Sequence, residues 1–357
     1  MAEESLPQRL ERILLGGERK YTRLQVAERA GVPEERSKQL WMALGFAGVP
    51  DDQVVFTDAD VEAMRVTDRL VASGLVDKQL ETAVARTIGL HLSRLAEWQA
   101  ELLGSLLEEN PELAADERQV GELVARLLPE LEQVQNFVWR RHLAAYAPGA
   151  VASADEGPAG PDAEVVGFVD MVGYTRLTRR ADETELSAVL DRFEAMATEV
   201  IAERRGRVVK MIGDEVLFVA DAPVAAAEIA LTLAERADAD ETLPSVRAGL
   251  AAGKVLSRFG DVYGSVVNLA SRLTAVARPG TILVDRELAR RLHGESGYEL
   301  RTRRAVTVRG YNRLRPSALR RARQADQPFD SGQELAADLL GLAGPVEQRR
   351  SSRQRRR

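Results

Sequence analysis

The sequence contains no cysteine and only three histidines among its 357 residues. Without cysteine the chain can form neither a disulfide nor a thiolate zinc site, and it has no cysteine nucleophile. The histidines His91, His142 and His293 stand far apart in the sequence and suggest no metal cluster. A metal bound by this chain would therefore be held by oxygen atoms, and carboxylate ligands favour Mg²⁺ or Mn²⁺.

Long apolar runs are missing as well. No stretch approaches the roughly 18 uninterrupted apolar residues of a membrane span, since even the alanine-rich run at 224–236 carries Glu228 and Glu235. The N-terminus lacks the basic and apolar pattern of a secretion signal. We therefore expect a cytoplasmic protein without a membrane span.

Positive charge is scarce relative to negative charge, and lysine is the scarcest basic residue. The chain carries 49 basic and 55 acidic side chains, with a net charge of −6 at pH 7. This balance is not typical of a general nucleic-acid binder, because an acidic surface repels a phosphate backbone. Only five residues are lysine, so Lys210 inside a glycine turn indicates a specific demand for a compact ammonium donor. The alternative is a solvated hairpin lysine.

Changes in composition divide the chain into segments. Residues 1–146 show helical periodicity and predict an all-α domain, and the Ala-, Gly- and Pro-rich stretch at 147–162 predicts a linker. Residues 163–320 alternate short apolar strands with helices and predict an α+β domain. Residues 321–357 end in arginines and predict a mostly disordered tail, solvated or in contact with nucleic acid or anionic lipid.

The predicted elements follow from periodicity and from turn residues. In the first domain we predict helices near 22–30, 35–46, 59–73, 77–104, 117–128 and 130–145. In the second we predict strands at 163–170, 207–212, 215–220, 245–252, 281–284 and 297–308, and helices at 182–205, 223–237, 266–277 and 286–293.

Two acidic motifs follow apolar strands. Asp170 lies in the run 165–175, and Asp214 ends the run Lys210-Met211-Ile212-Gly213-Asp214. Carboxylates that end or turn adjacent strands can share a pair of metal ions, and the glycine after each strand lets phosphates approach backbone amides. The arrangement indicates a two-metal site for phosphoryl transfer.

A third motif is a turn that leads into a helix. In the run 261–272, Asn268 and Arg272 are four residues apart and therefore share one helix face. An amide and a guanidinium on one face can orient a ribose and neutralise a phosphate. An ordinary helix cap and a surface arginine are the alternative for this segment alone.

Taken together, in this order and at this spacing over residues 163–315, the three motifs resemble the catalytic domain of class III nucleotide cyclases. The resemblance implies a ferredoxin-like α+β fold. It also implies that Asp170, Asp214 and the main-chain carbonyl of Met171 are the ligands of two Mg²⁺ or Mn²⁺ ions.

The other site residues also come from the resemblance. Lys210 and Asp261 match the pair that selects adenine, which makes ATP the expected substrate. Asn268 matches the residue that orients the ribose, and Arg272 matches the one that stabilises charge on the α-phosphate. Arg309 stands where the family usually has a lysine that holds the terminal phosphates.

The reaction implied is attack of the ribose 3′-hydroxyl on the α-phosphate of ATP, giving 3′,5′-cyclic AMP and pyrophosphate. In the family each site lies between two catalytic domains, and the single domain here implies a homodimer. The alternative is a nucleotide-sensing helix-turn-helix regulator whose cyclase-like domain is not catalytic. A diguanylate cyclase is a weaker rival, because the helix with Asn268 and Arg272 has no place in it.

The first domain begins with a pattern similar to a helix-turn-helix. Residues 21–32 and 36–41 would be its helices, with Gly31 at the turn. The acidity of this half argues against contact with DNA. The helical half resembles the autoregulatory domains of some soluble bacterial cyclases, a group with acid-activated members.

Two hypotheses follow for regulation. The helix from Glu130 to Tyr146 would transmit the state of the dimer to the catalytic pair. If activity follows pH, His91 and His142 are the candidate sensors, because histidine titrates nearest neutrality. Ordinary packing or exposure is the alternative for both histidines.

Overall fold

The computed structural model describes residues 4–322 apart from residues 75, 156–163 and 309. The chain divides into two compact units. One comprises Met1–Asp162 with Ser257–Asp261, and the other comprises Ala163–Leu256 with Val262–Arg357. No helix within the described ranges is long and apolar enough to cross a membrane.

The first unit is helical, as the periodicity predicts. Its helices are α1 (Leu6–Leu14), α2 (Arg23–Ala30), α3 (Glu34–Ala43), α4 (Asp58–Ala72), α5 (Lys78–Glu109), α6 (Pro111–Ala114) and α7 (Glu117–Asp155). The short helices α1 and α6 were not predicted. A small core of Val26, Phe56 and Val61 packs beneath α2 and α4.

The helix-turn-helix-like sequence does form two helices around a turn. Thr22 caps α2, and Gly31 ends it with a φ of +71°, a left-handed conformation that favours glycine. On α3, Arg36 forms ion pairs of 2.6 Å with Glu81 and 2.5 Å with Asp68. Because Glu81 is only 5% exposed, Arg36 is held inside this unit rather than presented to a nucleic acid.

The predicted linker differs from the structure at its start. Helix α7 continues to Asp155, so residues 147–155 are helical and only the rest of the predicted linker lies outside the described residues. Alanine, the strongest helix former, is abundant in this stretch and outweighs Pro148. The same helix contains Pro129, where the prediction separated two helices.

The second unit is a mixed sheet with helices. The strands in residues 164–321 are β1 (Glu164–Met171), β2 (Arg207–Ile212), β3 (Glu215–Ala220), β4 (Val246–Gly253), β5 (Leu256–Arg258), β6 (Asp261–Tyr263), β7 (Ile282–Val284), β8 (Tyr298–Thr302), β9 (Val306–Val308), β10 (Tyr311–Leu314) and β11 (Ser317–Arg321). Of these, most of β5 and the first residue of β6 fall in the segment Ser257–Asp261 that is counted with the first unit. The helices of the second unit are α8 (Tyr174–Leu177), α9 (Glu183–Glu203), α10 (Pro223–Ala239), α11 (Ser265–Val276) and α12 (Arg286–Arg291).

Seven strands form one sheet in the order β2-β3-β1-β4-β7-β11-β8. All neighbours are antiparallel except β4 and β7, which are parallel. The strands β9 and β10 form one two-stranded sheet, and β5 and β6 form another. The predicted α+β architecture is therefore present, with β1 in the interior of the sheet.

Strand β1 is buried on both faces, which explains its nearly continuous apolar sequence. Val165 and Val169 pack in a core with Phe193 of α9. Val166 packs in a second core, on the other face, with Ala270 of α11. The alternation follows the two-residue period of a strand and places α11 opposite α9.

Candidate active site

The sheet brings Asp170 and Asp214 together. Asp170 is the second-last residue of β1, and Asp214 follows Gly213 in the turn that joins β2 to β3. Gly213 has a φ of +61°, which favours glycine at this turn. The backbone N–H of Met171 donates to the carbonyl oxygen of Asp214 at 3.0 Å. This bond ties the end of β1 to the turn, so the two predicted carboxylates lie at one end of neighbouring strands.

Two of the carboxyl groups at this end of the sheet, those of Asp214 and Glu215, have raised pKa values. Burial raises the pKa of Asp214, and the negative charge of Asp170 raises it further. Burial raises the pKa of Glu215 to about 7, with the charges of Asp170 and Asp214 adding to the effect. Such repulsion is relieved when a cation binds between the acids.

The donor set at this end of the sheet fits a divalent cation that prefers oxygen. Asp170 and Asp214 supply carboxylates, and they sit beside backbone carbonyls where β1 and the hairpin end. Within the described ranges, no group of three or more His, Asp or Glu residues has the geometry of a complete metal cage. An ion held here would therefore need further ligands from the main chain, from water or from substrate phosphates, as Mg²⁺ usually does.

Arg247 is a member of the site that the motifs did not reveal. It stands opposite Asp170 in the pairing of β1 with β4. Its Nη2 lies 2.6 Å and its Nε 2.7 Å from Oδ2 of Asp170. The alternation of 245–252 indicates a strand but cannot say which acid faces the arginine across the sheet. Glu215 was also missed, although it follows Asp214 directly.

The two residues expected to select the base lie on two different hairpins. Lys210 is a half-buried residue of β2, opposite Leu217 of β3 and next to an irregularity in the strand pairing. Asp261 is half-buried and opens β6. Lys210 lies in the strand predicted at 207–212, whereas Asp261 begins a short strand where the sequence predicted a turn.

Helix α11 carries Asn268 and Arg272 on the side away from its packed face. Asn268 is exposed and Arg272 half-buried, whereas Ala270 and Thr274 are buried against the sheet. The helix lies directly on β4 at Gly249, where an added Cβ would be 2.3 Å from the backbone nitrogen of Thr274. A glycine is required for this close approach, which fixes the height of the Asn/Arg face above the sheet.

The roles of all the predicted site residues stay predictions, including those of Arg309, His91 and His142. Arg309 lies outside the described residues, between β9 and β10. His91 and His142 are exposed, and the ring of His142 stacks on that of Tyr146 with 6.1 Å between centroids. The structure gives neither histidine a partner of opposite charge among the described residues.

Comparison with known proteins bears on these motifs. Residues 161–320 match the model of the adenylate and guanylate cyclase catalytic domain. An adenylate cyclase of Streptomyces coelicolor is 44% identical over 291 residues, which are 81% of this chain and 76% of the relative. An adenylate cyclase of Glutamicibacter nicotianae is 36% identical over 326 residues, 87% of this chain and 81% of the relative.

A third relative is described as a pH-sensitive adenylate cyclase, from Mycobacterium tuberculosis. It is 34% identical over 273 residues, 73% of this chain and 67% of the relative. The similarity to these relatives extends beyond the catalytic region into the helical unit, because each match is longer than the 161–320 segment. The predicted resemblance is confirmed: this chain belongs to the family of class III adenylate and guanylate cyclases.

Proposed function

We propose that this chain is an adenylate cyclase that converts ATP to 3′,5′-cyclic AMP and pyrophosphate. The observation that carries the proposal is the meeting of Asp170 and Asp214 at one end of the sheet, tied by the bond from Met171 N–H to the Asp214 carbonyl. Adenylate cyclase is also the name of two relatives that are 44% and 36% identical to this chain over the 291 and 326 residues matched.

Asp170, Asp214 and the carbonyl of Met171 would hold two Mg²⁺ or Mn²⁺ ions. When bound, such ions lower the pKa of the ribose 3′-hydroxyl and stabilise charge on the phosphates. The carboxylates keep their place because β1 is interior to the sheet and the Gly213 turn is tight. They are therefore positioned before substrate arrives, which is the main contribution of a protein to phosphoryl transfer.

The choice of base is assigned to Lys210 and Asp261. An ammonium donates to the unprotonated ring nitrogen of adenine, and a carboxylate accepts from its exocyclic amine. Guanine presents the opposite pattern at these positions, with a protonated ring nitrogen and a carbonyl oxygen. The pair therefore favours ATP over GTP.

The remaining substrate contacts are assigned to Asn268, Arg272 and Arg309. Asn268 would hold the ribose, Arg272 would stabilise negative charge on the α-phosphate, and Arg309 would bind the terminal phosphates. A guanidinium suits these last two roles because it donates two parallel hydrogen bonds to phosphate oxygens. The four-residue spacing on α11 lets the amide and the guanidinium act on neighbouring parts of one nucleotide.

We also propose a ferredoxin-like fold for the catalytic domain. The order β2-β3-β1-β4, with α9 and α10 in the connections, supports the ferredoxin-like assignment, since that fold has the pattern β-α-β-β-α-β.

The active form would be a head-to-tail homodimer in which one protomer supplies the acids and the other supplies Asn268 and Arg272. The helical unit would regulate this pair, with pH as the candidate signal. The cytoplasmic location stays a prediction.

The test is direct. The full chain is incubated with ATP and Mn²⁺ or Mg²⁺, cyclic AMP is quantified, and Asp214→Asn and Asp221→Asn are assayed beside it. Asp221 is an exposed aspartate just after β3 and serves as the matched control. We expect Asp214→Asn to lose roughly 100-fold or more of the activity and Asp221→Asn to keep it. An inactive wild type with both metals, or a fully active Asp214→Asn, would refute the proposal.

A further inference from the structure

The ion pair between Arg247 and Asp170 joins two interior strands at the candidate site. Both donors of Arg247, Nε at 2.7 Å and Nη2 at 2.6 Å, converge on the single oxygen Oδ2. The side chain of Asp170 is 14% exposed and that of Arg247 is 32% exposed. The pair is therefore partly shielded from water, and its attraction is stronger than that of a surface pair.

The acid in this pair is one that the proposed function assigns to metal binding. A guanidinium and a divalent cation both need the lone pairs of the same oxygen, and both carry positive charge. Arg247 is thus a cation that the structure already pairs with one of the carboxylates assigned to metal binding.

The guanidinium has a second contact, away from the acids. Its Nη1 donates to the carbonyl oxygen of Ala275 at 3.4 Å. Ala275 lies in the last turn of α11, where the carbonyl groups of a helix carry partial negative charge. Arg247 can therefore keep its hydrogen bond to the carbonyl oxygen of Ala275 when its ion pair with Asp170 is weakened.

We propose that Arg247 is a positioning residue that acts as the internal counter-cation of Asp170 and competes with the divalent ion for Oδ2. The affinity of the site for metal is set by this competition. The inference rests on the proposed function, which makes Asp170 a metal ligand. It predicts that loss of the guanidinium charge tightens metal binding, whereas an ordinary structural ion pair would leave metal affinity unchanged or weaken it.

The experiment measures Mn²⁺ binding rather than turnover. Metal-free full-length protein is titrated with Mn²⁺ at pH 8.5, and free Mn²⁺ is read from its electron paramagnetic resonance signal. The variants are Arg247→Gln, Arg247→Lys and, as matched control, Arg192→Gln, which removes an arginine from an ion pair with Asp240, away from the candidate site. We expect Arg247→Gln to bind Mn²⁺ about tenfold or more tightly, because a neighbouring positive charge is gone.

Two further variants, one that keeps the charge at position 247 and one at a distant ion pair, should bind Mn²⁺ much as wild type does. Arg247→Lys should stay within about threefold of wild type, since the charge remains, and Arg192→Gln should match wild type. Equal or weaker binding by Arg247→Gln, or the same gain in Arg192→Gln, would overturn the inference. Circular dichroism checks the fold, and Arg247→Met, which keeps the apolar stem, takes the place of the glutamine variant if the latter is unfolded.

A further variant separates this inference from the proposed function. Asp214→Asn is titrated in parallel, and we expect its Mn²⁺ affinity to fall. If Asp214→Asn bound Mn²⁺ as wild type does, the assigned metal site would be wrong, whatever Arg247 did. If Asp214→Asn lost affinity while Arg247→Gln gained none, the metal site would stand and the role of Arg247 alone would fall.

Discussion

At the scale of single residues, the negative charges of several neighbouring carboxylates in the site are only partly neutralised by positive charge. Asp170, Asp214 and Glu215 lie together, and Arg247 is the arginine that the structure pairs with Asp170. Burial, together with the negative charges of the neighbouring acids, raises the pKa values of Asp214 and Glu215. Ionisation of these neighbouring acids is energetically unfavourable unless a cation binds to them.

The raised pKa of Glu215 predicts how stability depends on pH in the metal-free protein. Because the Glu215 carboxyl in the folded state keeps its proton up to a pKa of about 7, while in the unfolded state it loses the proton near its ordinary pKa of 4.5, stability should fall as pH rises through this window. The loss is at most about 3 kcal/mol, and less since Glu215 is half-buried and partly screened by water.

Urea unfolding at pH 5 and pH 8 in the presence of a chelator measures this loss. Glu215→Gln should show a smaller fall in unfolding free energy between the two pH values than wild type. The exposed Glu194→Gln serves as control and should behave like wild type. An unchanged fall in Glu215→Gln would show that other groups cause the pH dependence.

The base-selecting pair predicts a change of substrate. In Lys210→Glu combined with Asp261→Ser, the donor and acceptor for adenine are exchanged for groups that suit guanine. The ratio of kcat/KM for ATP to that for GTP should fall by about 100-fold or more, since buried polar groups left unpaired cost several kcal/mol. Lys38→Glu on α3, with the same change of charge, should leave the ratio unchanged. A preserved ratio in the double variant would remove these residues from base selection.

At the scale of elements, strand β4 sets the position of helix α11, which packs directly on it. Val266 and Ala270 of α11 pack on the sheet, while Asn268 and Arg272 face away from it. The helix is close to β4 because Gly249 has no side chain. The position of the Asn/Arg face thus depends on a residue that touches no substrate.

Gly249→Ala should therefore damage both stability and activity. An added Cβ would lie 2.3 Å from the backbone nitrogen of Thr274 and 2.4 Å from the carbonyl oxygen of Ala270, so α11 must shift. We expect a loss of about 1–3 kcal/mol in unfolding free energy and roughly a 100-fold loss of cyclic AMP formation.

Urea unfolding and a cyclase assay measure the two effects. Gly297→Ala is the control, because nothing lies within 4 Å of its added Cβ. It should be close to wild type in both measurements. A stable and fully active Gly249→Ala would show that the height of α11 above β4 is not critical.

Several element boundaries could be predicted and several elements could not. The hairpin 207–212 and 215–220 appears at the predicted residues, because a Gly-Asp turn between alternating apolar segments is a strong signal. Short strands such as β5 and β10 were missed, since three or four residues carry little periodicity. Strand β11 was also missed, and its place between β7 and β8 comes from long-range pairing.

At the scale of the whole molecule, the proposed homodimer predicts complementation. Co-expressed Asp214→Asn and Arg272→Ala chains would form mixed dimers in which one site receives intact acids from one protomer and an intact arginine from the other. Activity should return to about a quarter of wild type, because half of the dimers are mixed and each has one intact site. Each variant alone should be inactive.

The matched control combines two variants of the same half-site. In a mixed dimer of Asp170→Asn and Asp214→Asn, both sites contain a damaged acid, so activity should stay absent. Rescue in this pair as well, or in neither pair, would contradict a head-to-tail arrangement. Cyclic AMP formed by the purified co-expressed proteins is the measurement.

The sequence by itself determined the family, the hairpin that carries Asp214 and the helix that carries Asn268 and Arg272. Such features are local, because a turn glycine, a strand period or an i, i+4 pair is written within a dozen residues. Only the tertiary structure decided that Arg247 faces Asp170, 77 positions away in the sequence, and that the N–H of Met171 donates to the carbonyl of Asp214. Sheet pairing sets these contacts, and pairing depends on long-range register that no local pattern records.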